Sequence, residues 1–93
     1  MAKFEIVLTE KANKDLQAIR KSGNKATINK IDKIFLELEE HPRTGTGKVE
    51  ALKDNLSGYW SRRLNQKDRL IYKIEDEIVI VTVISAQGHY SDK

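Results

Sequence analysis

The residues able to do chemistry in this chain are few. Cysteine is absent and there are only two histidines. Thiol catalysis and disulfides are therefore excluded. No His-x-x-x-His, Asp-x-Asp-x-Asp or Cys-x-x-Cys spacing occurs, so the sequence predicts no metal site and no cofactor. Gly45-Thr46-Gly47-Lys48 lacks the spacing of a phosphate-binding P-loop, and Ser57 and Ser61 lack a hydrolase pattern. What remains is an acid–base set. Glu50 follows the glycine-containing loop. Lys53, Arg62, Arg63 and Arg69 lie near it in sequence, and His89 follows Gly88 close to the end. Such a set suits cleavage of RNA by its own 2′-hydroxyl. A base takes the hydroxyl proton, a cation stabilises the charged phosphate, and an acid protonates the leaving 5′-oxygen. Taken singly, each residue has a plainer role: a surface ion pair, a solvated strand face, an exposed histidine. Trp60 and Tyr90 are more often packing residues than base-stacking platforms.

The elements that must position these residues are readable from periodicity. Phe4, Ile6 and Leu8 alternate with Glu5, Val7 and Thr9 as in a first strand. Thr9 can cap a helix carrying Ala12, Leu16 and Ile19, which Gly23 stops. Asn24 can cap a second helix, with Ile28, Ile31, Phe35 and Leu38 facing inward and Ile34 at the margin, ended by Pro42. Leu52 and Leu56 anchor an irregular or single-turn segment. Tyr59–Leu64 and Arg69–Ile74 read as paired strands around the polar turn Asn65–Asp68, and Glu75–Glu77 as the next turn. The β-branched run Ile78–Ile84 predicts a central strand buried on both faces. The polar last nine residues are expected to cross the sheet edge or cover its open face. The fold class is α+β: an N-terminal strand, a helical hairpin, then a three-stranded antiparallel meander, one sheet covered on one face by two helices. Whether Arg62 or Arg63 shares a face with Arg69 depends on the register, and a one-residue slip reverses the answer.

A chain of 93 residues, 39% hydrophobic and 33% charged, is expected to form one domain over residues 1–93. It holds no apolar run of membrane-spanning length and no secretion signal at its start, so a cytoplasmic protein is expected. The net charge is +3, concentrated in residues 41–70, which hold seven basic and three acidic residues. A basic patch of this kind suits a polyanion.

The block Lys48-Val49-Glu50-Ala51-Leu52-Lys53, then Asn55-Leu56-Ser57-Gly58-Tyr59-Trp60-Ser61-Arg62-Arg63, then Asp68-Arg69-Leu70-Ile71-Tyr72, with a C-terminal His89-Tyr90, closely resembles the YoeB/Txe toxins of the RelE-like superfamily. The strong part of the match runs from Gly45 to Tyr72. The resemblance implies a RelE-like fold and ribosome-dependent, metal-independent cleavage of mRNA that arrests translation. It implies a cognate antitoxin, argued to be acidic and to mask the basic face, and homodimerisation is common in the family. It implies Glu50 as general base, Arg69 as the stabiliser of phosphate charge and His89 as general acid. Tyr90 would support the terminal site, with Lys53 and Arg63 as further phosphate contacts; Arg62 is held with them as a candidate substrate contact. Ser91-Asp92-Lys93 follow Tyr90 here, where some relatives end near that tyrosine. Two other functions compete: a non-enzymatic inhibitor on the same scaffold, like the gyrase-poisoning ParE group, and a plain RNA- or partner-binding module.

Overall fold

The computed structural model describes residues 4–75 and 80–86. Strand β1 (Glu5–Leu8) leads into helix α1 (Glu10–Ser22) and helix α2 (Lys25–Glu40). A two-residue strand β2 (Glu50–Ala51), a single 3-10 turn (Asp54–Leu56), and strands β3 (Tyr59–Arg63), β4 (Arg69–Glu75) and β5 (Ile80–Ser85) follow.

The helix boundaries follow from side-chain capping. The Thr9 hydroxyl accepts from the Ala12 N–H at 3.1 Å, and the Asn24 side chain accepts from the Thr27 N–H, also at 3.1 Å. Gly23 ends α1 in the left-handed conformation, at φ +77°. Glu10 in the first turn of α1, with Arg20 and Lys21 in the last, complements the helix dipole.

The sheet order is β1-β5-β4-β3-β2. β3, β4 and β5 form the expected antiparallel meander, and β1 joins it in parallel, Ile6 beside Val81 and Leu8 beside Val83. β5 is thus an interior strand, and Val83 on it is fully buried. The turn after Glu75 lies largely outside the described residues. The short β2 was not expected. Two residues cannot display an alternating pattern, and this strand exists only through its pairing with β3.

The core lies between the helices and one sheet face: Ala12, Leu16 and Ile19 from α1, Ile31, Ile34 and Leu38 from α2, and Leu70, Tyr72 and Val83 from the sheet. The buried stripe of α2 is rotated from the expected one. Ile34 is at its centre with 0% exposure, Thr27 is buried, and Ile28 and Phe35 only flank the core. Asn65 from the β3–β4 turn donates to the Thr27 hydroxyl at 3.4 Å, which lets a polar residue occupy the inner face. Among the described residues no helix is long and apolar enough to cross a membrane.

Candidate functional site

The register of β3 and β4 divides their side chains between two faces. Trp60 pairs with Tyr72 and Arg62 with Leu70, placing these four on the helix side. Ser61 pairs with Ile71 and Arg63 with Arg69, placing these on the opposite side. β2 brings Glu50 directly opposite Ser61. Glu50, Arg63 and Arg69 therefore share the face away from the helices. The alternative left open by the sequence is resolved in favour of Arg63.

On that face Arg69 Nη1 lies 3.7 Å from Glu50 Oε1, with the two side chains 28% and 64% exposed. The separation is too long for a hydrogen bond and short enough for charge attraction. The contact is loose, and a phosphate competing for Arg69 would meet a solvated pair rather than a sequestered one. Lys53 is exposed at the start of the segment 52–58, which is closed on β3 by the Leu52 N–H donating to Tyr59 O at 2.9 Å. Lys53 sits on the same β2–β3 hairpin as Glu50, while His89 and Tyr90 lie outside the described residues. Ala86, three positions before His89, is held by its N–H donating to the buried Asp15 carboxylate at 3.0 Å.

Arg62 does not belong to this face, and its expected contact with substrate is corrected. Its side chain is fully buried. Nη1 donates to Glu37 Oε1 at 2.6 Å and Nε to the Tyr72 hydroxyl at 3.0 Å. Nη2 donates to the carbonyl of Thr44 at 2.8 Å, with those of His41 and Pro42 at 3.3 Å. The Tyr72 hydroxyl donates onward to Pro42 O at 2.7 Å. A guanidinium so surrounded has no donor left for RNA. The cause is alternation: of two adjacent arginines on a strand with one covered face, one must point inward.

Glu37 and Thr46 complete this cluster. Glu37 accepts from both the N–H and the hydroxyl of Thr46, each at 2.8 Å. Burial disfavours the charge of Glu37, but the Thr46 hydrogen bonds and the Arg62 guanidinium outweigh it and hold the carboxyl below its usual pKa. Burial pushes the Tyr72 phenol up, opposed by its bond to Arg62 and the nearby charge. Glu37 was not singled out in the sequence, and Tyr72 figured there only as the end of the YoeB/Txe block. For Glu37 the available signal was its place one helical turn beyond Ile34, on the inward side of α2. Ser61, set aside as a hydrolase nucleophile in the sequence, is buried opposite Glu50, and its hydroxyl has no hydrogen-bond partner among the described residues.

Residues 8–90 match the model of the "YoeB-like toxin of bacterial type II toxin-antitoxin system" family. The chain is 41% identical to a YoeB toxin of Synechocystis over 73% of its length and 77% of that protein's. Its fold superposes on the YoeB dimer from Staphylococcus aureus with a TM-score of 0.80 at 31% identity, covering 96% of this chain and 100% of that one. It also superposes on the toxin of a heterotetrameric YoeB–YefM toxin–antitoxin complex from the same organism, with a TM-score of 0.77, 31% identity and the same coverage. Fold and sequence agree, and the chain belongs to the YoeB-like toxins of bacterial type II toxin–antitoxin systems.

Proposed function

We propose that the chain is a ribosome-dependent mRNA endoribonuclease that arrests translation, cutting by 2′-hydroxyl attack without a metal. The observation that carries this reading is the approach of Arg69 to Glu50 at 3.7 Å on a sheet face shared with Arg63. An exposed carboxylate close to one guanidinium, on a face that carries a second arginine, is what the transition state of this reaction asks for. Glu50 takes the proton of the 2′-hydroxyl as its oxygen attacks the adjacent phosphorus. Arg69 stabilises the charge that develops on the non-bridging oxygens, with Arg63 and Lys53 binding flanking phosphates. The bond from phosphorus to the 5′-oxygen breaks, and His89 gives that oxygen a proton. The products are a 2′,3′-cyclic phosphate and a free 5′-hydroxyl. The resemblance gives Tyr90, adjacent to His89 in sequence, a supporting role in that step.

The reaction places the protein in the cytoplasm, where mRNA is translated. A basic face able to cut mRNA also requires masking. We place an acidic, partly disordered antitoxin segment over it, in keeping with the Staphylococcus aureus complex, and a homodimer in keeping with the dimer of that relative. The test is a translating extract given purified protein. Wild type should release mRNA fragments ending in a cyclic phosphate, and Glu50→Gln and His89→Ala should stop this while remaining folded. Undiminished cleavage by both variants would overturn the mechanism.

A further inference from the structure

We infer that Arg62 is a positioning residue for Glu50, acting from beneath the sheet by anchoring the loop that delivers the glutamate to the exposed face. The inference rests on the cleavage reading above for its consequence on rate, but its structural part stands alone.

The loop after α2 makes turns but no helix or strand from residue 41 to residue 49. Its carbonyls converge on one guanidinium: His41, Pro42 and Thr44 on Nη2, and Thr46 on Nη1 at 3.4 Å. Glu37 grips the same loop from the helix side through the N–H and hydroxyl of Thr46. A Cβ on Gly45 would collide with the Glu37 carboxylate, so the chain passes directly against the clasp, at φ +128°. The Arg63 N–H then donates to Gly47 O at 2.6 Å, and a Cβ on Gly47 would lie 2.9 Å from Arg63 O. Lys48 follows at φ +52°, a left-handed conformation that costs energy in a non-glycine residue and persists only when its flanks are held. Glu50 then pairs with Ser61.

Three successive residues of β3 thus hold this one loop. Ser61 fixes the register of Glu50, the Arg63 backbone docks Gly47, and the Arg62 side chain passes to the other face to grip residues 41–46. Only two residues separate Gly47 from Glu50, so freedom at the loop reaches the carboxylate. A lysine could not replace the arginine, because the acceptors lie on several sides of a planar fork and an ammonium has no such reach.

The experiment uses purified full-length protein and the variants Arg62→Lys, Glu37→Gln and Thr46→Val. Thr46→Val removes one hydroxyl and is the mildest, which guards against unfolding. Two quantities are read: kcat and KM for mRNA on programmed ribosomes, and amide hydrogen exchange of the protein alone. The expected result is a fall in kcat of about 10-fold or more with KM changed by less than about 2-fold, as for lost positioning rather than lost binding. Exchange at the Thr46 and Arg63 amides should quicken while that of β4 does not. A raised KM with unchanged loop exchange would make Arg62 a substrate contact and overturn the inference. Faster loop exchange with unchanged kcat would overturn the positioning role. Should wild type cut no RNA, the cleavage reading fails, and unchanged exchange in all three variants then overturns the clasp independently.

Discussion

Arg62 and Glu37 stand 25 positions apart in the chain and meet at 2.6 Å, with 0% and 15% of their side chains exposed. The pair ties the middle of β3 to the last turns of α2. Its neighbours in sequence, Ser61 and Arg63, face the opposite way, toward Glu50 and Arg69. One strand therefore carries a structural ion pair below and a candidate site above.

Breaking the pair should cost far more than removing it. Arg62→Met leaves the Glu37 carboxylate in a mostly buried position without its cation, and should destabilise the fold by about 3–5 kcal/mol. Replacing both residues by apolar ones of similar size should cost much less than the sum of the single changes. Urea unfolding of the two single variants and the double variant checks this. Additive losses would mean the pair is not coupled.

The pair also sets an acid limit. Glu37 has a folded pKa below its ordinary value of 4.5, so its ionised form is favoured in the folded state. Its contribution is present above the unfolded pKa and is lost as pH falls through the folded one. Stability should therefore decline below about pH 4.5, and the decline should be shallower in Glu37→Gln. Denaturant midpoints measured between neutral pH and pH 3 test the sign. An equal slope in both proteins would assign the acid sensitivity to other carboxylates.

Salt dependence separates the two adjacent arginines. Arg63 shares the exposed face with Arg69. Arg63→Ala or Lys53→Ala should lower the slope of log affinity for single-stranded RNA against log salt by about 0.7 each. Arg62→Met, studied where it remains folded, should leave the slope unchanged. Fluorescence anisotropy across a salt series reads this, and a reduced slope for the Arg62 variant would restore it as a phosphate contact.

Much of the scaffold is legible in the sequence because its signals are local. Thr9, Gly23 and Asn24 sit where capping chemistry requires them, and the caps form as read. The meander follows from alternation and the polar turn at Asn65–Asp68. Long-range relationships were not legible. Strand pattern requires one of Arg62 and Arg63 to point inward, yet it cannot say which until Glu50 is set opposite Ser61. Glu37 reads as one acidic residue among Glu39 and Glu40, and only tertiary contact with Arg62 distinguishes it. In α2, Phe35 and Ile34 are adjacent and both apolar, so the exact stripe waited on packing against the sheet. The candidate site residues Glu50, Arg63, Arg69 and Lys53 were marked by residue type and by resemblance to the YoeB/Txe block rather than by periodicity.

The loop glycines should be intolerant for steric reasons. Gly45→Ala meets the Glu37 carboxylate and Gly47→Ala the backbone of β3, both at positive φ. Each should cost at least about 1 kcal/mol from conformation alone, with the clash added. Thermal unfolding measures this. Unchanged stability would mean that the loop is free to move away from the clasp.

Glu50 and Arg69 should behave in the opposite manner. Their pair is solvated, so Glu50→Gln should change stability by less than about 1 kcal/mol. The most direct test of the cleavage account is therefore chemical. The ends of mRNA fragments made by the wild type in a translating extract are determined, beside Glu50→Gln and an mRNA carrying a single 2′-deoxynucleotide at the cut site. The account predicts 2′,3′-cyclic phosphate ends, no cut at the deoxy position, and a loss of roughly 10²-fold or more in the variant. Cleavage at the deoxy position, or wild-type rates in Glu50→Gln, would contradict it.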